Sequence, residues 1–130
     1  MTAKTAALII GVTFIIVGLL GYTHNPIVGH MSLFHTDSVH NIVHTVSGVL
    51  FVLVALAAPA NVRGFMKLFG IVYFLLGVIG FFVIGTTGMV KLLGFLHING
   101  ADNFLHVGLG IIIYLAGTLR NSDTNYNTTR

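Results

Sequence analysis

A chain of 130 residues with 55% hydrophobic and 7% charged side chains is far from soluble composition, in which roughly a quarter of residues are charged. The formal charge is only +3, and no basic patch with interleaved aromatics is present, so nucleic-acid binding is not supported. Cysteine is absent, which excludes disulfides, thiol catalysis and thiolate metal sites.

Four apolar stretches follow in chain order, about 5–22, 39–58, 66–85 and 103–119, and Lys67 is the only charged residue within them. Each approaches the roughly 20 residues that a helix needs to cross a hydrocarbon core. In lipid only a helix or a closed barrel satisfies its own backbone, and no ten-residue alternation reads as barrel strands. The expected fold is therefore all-α: a polytopic four-helix transmembrane bundle in one domain, 1–120, followed by a polar, mobile tail, 121–130. The first stretch follows a short basic start, as a signal peptide would. Its length and its likeness to the third stretch favour a retained helix.

That likeness extends along the chain. A shift of 59 positions lays Gly11, Gly18 and Gly21 on Gly70, Gly77 and Gly80, and Phe14 on Tyr73. A shift of 62 lays His35, Asn41, His44 and Gly48 on His97, Asn103, His106 and Gly110. Two tandem helical hairpins are implied, about 5–58 and 66–119, related by a pseudo-twofold axis along the membrane normal. The glycines read as packing faces, because small residues let helix backbones approach in lipid. Helix 1 is expected to cross helix 3 or its own hairpin partner through them.

Loop charges set the orientation. Lys4, Arg63, Lys67, Arg120 and Arg130 lie at the termini and the middle connection, whereas the two long loops, 23–38 and 86–101, have Lys91 as their only Lys or Arg. The positive-inside rule places both termini in the cytoplasm and the histidine-bearing loops outside. Pro59 stops helix 2, and Asn25–Pro26 and Asn99–Gly100 are turn dipeptides. Asn127–Thr128–Thr129 matches a glycosylation sequon on the cytoplasmic side, as a chance match.

The polar residues cluster. His40, His44 and Gly48 stand four apart on helix 2, as Asp102, His106 and Gly110 do on helix 4. With helix 2 starting near Val39, His44 lies roughly 8 Å below that start, within apolar surroundings. Polar groups there turn to the bundle interior and find partners. Three readings stay open. In the first, Asp102 caps helix 4, Asp37 or Ser38 caps helix 2, and the asparagines and histidines hold helices in register. In the second, His44 and His106 are axial ligands of a tetrapyrrole, haem b or chlorophyll, with Asn41 and Asn103 as supporting hydrogen-bond partners. In the third, His40, His44, Asp102 and His106 hold a metal ion or a proton, and His24, His30, His35 and His97 extend the set. An enzyme is not expected: the chain has three Asp, no Glu and no Cys, and neither a nucleophile elbow nor a phosphate loop.

His40–Asn41–Ile42–Val43–His44 and Asn99–Gly100–Ala101–Asp102–Asn103–Phe104–Leu105–His106, with the glycine patterns and Leu93–Gly94–Phe95, resemble the bacterial family known as domain of unknown function 4383. The resemblance covers all but the tail. It implies small four-helix proteins of a bacterial inner or thylakoid membrane, and it brings no activity, cofactor or site residue. With few reactive groups, many small interfacial residues and short loops, the expected role is a non-enzymatic accessory or assembly subunit. Its expected partners are the lipid bilayer and other membrane subunits or copies of itself.

Overall fold

The computed structural model describes residues 1–92, 94 and 96–121, and its four helices occupy the four apolar stretches. Residues 122–130, with the sequon and nearly all of the expected mobile tail, lie outside the described residues. Helix α1 runs Ala3–Leu20 behind Thr2, whose hydroxyl accepts from the Thr5 amide. Helix α2, Ser38–Ala57, is capped by Asp37. A 3₁₀ turn, Pro59–Asn61, leads into α3, Val62–Ile84, and α4 spans Gly100–Ala116. Three of these helices are long and apolar enough to cross a membrane, and α4 is a shorter apolar helix of 17 residues. Their outward faces are apolar too: Phe82 is 89% exposed, and Ile9, Leu53, Leu68 and Ile112 are more than half exposed. That arrangement suits hydrocarbon as solvent.

Both glycine faces pack within a hairpin, α1 on α2 and α3 on α4. A methyl group on Gly11 would stand 2.8 Å from the Gly48 carbonyl, and one on Gly70 would stand 2.8 Å from the Gly110 carbonyl. Further along, Gly21 faces the Asn41 carboxamide and Gly80 faces that of Asn103, with no room for a side chain at either glycine. Between the hairpins, Phe14 and Phe51 meet Phe65, Phe69 and Tyr73 in an aromatic layer, with Phe14–Tyr73 ring centroids 5.3 Å apart. Below it, Ala3, Ala6, Ala7 and Ala55 let the chains close on Val62 and Met66. The Ala3 amide donates to the Arg120 carbonyl at 2.9 Å, so the start of α1 and the end of α4 meet at one end, beside the middle connection.

The long loops at the opposite end carry short strands, which the expected all-α fold did not include. Strands β1 (Val28–Gly29) and β2 (Phe34–His35) pair in parallel, and β3 (Met89–Leu92) and β4 (Leu96–Asn99) form an antiparallel hairpin. Four-residue arms are too short to leave a strand signal in a helical sequence. Gly94, at φ +83°, lies in the connecting turn, and Leu92 and Ile98 tuck inward. Asn25–Pro26 does form a turn: Asn25 Oδ1 accepts from the amides of Ile27 and Val28, each at 2.9 Å. Asn99–Gly100 instead opens a helix.

Candidate metal centre

The N-terminal turns of α2 and α4 set the site. Asp37 Oδ1 accepts from the His40 amide at 2.9 Å and, as the N-cap, fixes the start of α2 just ahead of His40. On α4 the cap is Asn99, not Asp102. Asn99 Oδ1 accepts from the Asp102 amide at 3.1 Å, and Asp102 Oδ2 accepts from the Asn99 amide at 2.7 Å. This capping box starts the helix three residues before the apolar stretch and turns Asp102 to the helix end.

One helical turn deeper, His40, His44 and His106 come together, all buried, with one ring nitrogen of each within 4.8 Å of the others. The rings are nearly parallel: His40–His44 centroids are 4.8 Å apart, His40–His106 5.8 Å and His44–His106 6.3 Å. Phe14 and Tyr73 pack on their edges. Asp102 is outside this group, so the structure brings together three of the four residues expected for a metal and holds the fourth in the cap.

Ring protonation follows from the partners. The His97 carbonyl only accepts, so His40 Nδ1 carries a proton and donates to it at 2.7 Å. In the neutral ring His40 Nε2 is then an acceptor, and it takes a bond from His44 Nε2 at 3.0 Å. His44 Nδ1 is left as a buried lone pair with no partner among the described residues. A tetrahedral ion with bonds of about 2.0–2.1 Å places its nitrogens roughly 3.3 Å apart, so side-chain movements of about 1 Å close this set onto one ion. A ligand histidine whose other nitrogen donates to a carbonyl is the usual supporting arrangement, and His40 has it already.

Sequence reasoning gave His97 only a peripheral place. It stands on β4, its carbonyl orients His40, and its ring Nδ1 donates to Asp37 Oδ2 at 3.0 Å. The usable signal is the shift that lays His35 on His97. Burial raises the Asp37 pKa, but the His40 amide and the His97 ring outweigh it and hold the carboxyl below its ordinary 3.8. His35 is held below 6.5, first by burial and then by the neighbouring His97 and His30.

A tetrapyrrole does not fit these side chains as they stand. Helix backbone fills the space beside Gly48 and Gly110, while the space beside Gly108 is open. The His40 ring, 4.8 and 5.8 Å from the other two, lies inside the area that a macrocycle between His44 and His106 would cover. Asn41 and Asn103 seat against glycines, and Asn103 Nδ2 donates to the Gly85 carbonyl at 3.0 Å. Neither bonds a histidine ring among the described residues.

The chain belongs to the family described as domain of unknown function DUF4383, whose model matches residues 4–119. No curated protein and no solved structure is similar to it.

Proposed function

We propose that this protein is a multi-pass membrane protein that holds one transition-metal ion of the zinc–copper group between His40, His44 and His106. The observation that carries the reading is the convergence of the three buried rings within 4.8 Å, with His40 oriented by the His97 carbonyl. Three imidazoles leave one coordination position open, as in exchangeable rather than closed sites. The acidic residues nearest in sequence, Asp37 and Asp102, are engaged in helix caps, so the donor set is purely imidazole, which suits zinc and copper.

In this reading the fold is two tandem hairpins about a pseudo-twofold axis along the membrane normal, supported by the matched Gly11–Gly48 and Gly70–Gly110 approaches. Both termini lie in the cytoplasm, which the basic residues Lys4, Arg63, Lys67 and Arg120 support, and the metal faces outward from a bacterial inner or thylakoid membrane. The chain then serves as a non-enzymatic accessory subunit of a larger membrane assembly or of its own oligomer. The apolar outward faces of all four helices support that role. Titration of detergent-purified protein with Zn²⁺ and Cu⁺ against a chromophoric chelator tests the site. One ion per chain is expected, with no binding in a His40→Ala, His44→Ala, His106→Ala variant. Equal binding by that variant sinks the reading.

A further inference from the structure

All three buried histidines border a cavity of about 120 Å³ between α2 and α3. Leu92 and Ile98 of the strand hairpin, both buried, close it toward the long loops. Val43 on α2 and Val72 on α3 line it and are themselves exposed, so its mouth lies on the outward apolar face between these helices. Besides the histidines, Ser47 and Tyr73 are the only polar side chains on its wall among the described residues. The His106 ring is 6% exposed, borders this space and has no hydrogen-bond partner among the described residues.

An apolar cavity of roughly 150 Å³ holds benzene or xenon. This smaller one suits an uncharged molecule of a few atoms, because a charged or strongly hydrated ligand would lose its water there without replacement. The same surroundings select the ion. Three neutral imidazoles cancel none of its charge, and the Born cost of burying a charge rises with its square, so copper(I) is favoured over zinc(II) or copper(II).

We propose that the three-histidine site carries copper(I) and that its open position binds, within this cavity, a small uncharged π-acceptor molecule of the class of carbon monoxide. A mouth on the apolar face suits a ligand that dissolves in the bilayer. The proposal rests on the metal reading above and adds the ion and its ligand. Binding forms one donor–acceptor bond to the ion, breaks none and leaves the oxidation state unchanged.

The test is infrared spectroscopy of the copper(I)-loaded full chain in detergent under carbon monoxide, with one carbon monoxide expected per copper. Leu76, on α3, lines the cavity and is not a ligand. A Leu76→Trp variant is expected to keep one copper per chain and to bind carbon monoxide at least about tenfold more weakly. Leu76→Ala runs the other way: it is expected to bind tert-butyl isocyanide, a bulkier ligand of the same class, at least about tenfold more tightly than the unaltered chain. A copper-loaded chain that takes no carbon monoxide overturns the proposal, and so does equal carbon monoxide binding by the tryptophan variant. If that variant loses its copper, the alanine comparison decides, and equal isocyanide affinity overturns the proposal. If the unaltered chain binds Zn²⁺ but not copper(I), the proposal falls while the metal site stands. If it binds neither, the site itself fails.

Discussion

His40 Nδ1 donates to the backbone carbonyl of His97 at 2.7 Å, across 57 positions of sequence, and this bond joins the strand hairpin to the buried histidines. His97 is in turn anchored by its own ring on Asp37, so orientation of His40 depends on a side chain that touches no candidate ligand nitrogen. Removal of such a supporting partner typically costs 10- to 100-fold in metal affinity. His97→Ala is therefore expected to weaken binding by roughly that factor at unchanged stoichiometry, as read by chelator competition.

Asp102 and His106 stand one turn apart on α4 but serve different ends. Asp102→Asn weakens the capping box and is expected to cost about 0.5–1 kcal/mol of stability while one ion per chain still binds. His106→Ala is expected to abolish binding. Equilibrium unfolding in mixed detergent and metal analysis on the same samples separate the two effects.

The helices were legible because lipid demands long apolar runs. The stretches 5–22 and 39–58 match Ala3–Leu20 and Ser38–Ala57 within about two residues. The starts of α3 and α4 were less legible. The 3₁₀ turn at Pro59 feeds straight into Val62, and Asn99 caps α4 before its apolar run begins. The histidine face of α2 followed from spacing, and Asp37 emerged as one of two candidate caps. What spacing does not carry is a partner distant in sequence: the hairpin 89–99, the carbonyl it brings to His40, and the glycine seats of Asn41 and Asn103.

Glycines in this fold divide sharply by surroundings. A methyl group on Gly77 would lie 2.7 Å from the Asn103 carbonyl and the Val107 amide, whereas nothing lies within 4 Å of one on Gly108. Gly77→Ala is expected to destabilise by about 1–3 kcal/mol through forced helix separation. Gly108→Ala is expected to be neutral or to stabilise by up to about 1 kcal/mol through helix propensity. Unfolding midpoints in matched detergent decide between these outcomes.

Two loop groups give the fold an acid-sensitive profile. His35 has its pKa lowered from 6.5, so the folded state favours the neutral ring; stability is full above pH 6.5 and declines as pH falls below it. Asp37 is lowered from 3.8, so its contribution is present above that pH and is lost on further acidification through its folded value. Thermal unfolding followed against pH is expected to show both declines, and His35→Gln is expected to reduce the first and spare the second.

X-ray absorption at the metal edge of protein purified with its bound ion reads the donor set at His40, His44 and His106 itself. Three imidazole nitrogens at about 2.0 Å are expected around the ion, with the imidazole signature absent from the His40→Ala, His44→Ala, His106→Ala variant. A shell dominated by oxygen, or an imidazole shell that persists in the triple variant, would contradict that donor set.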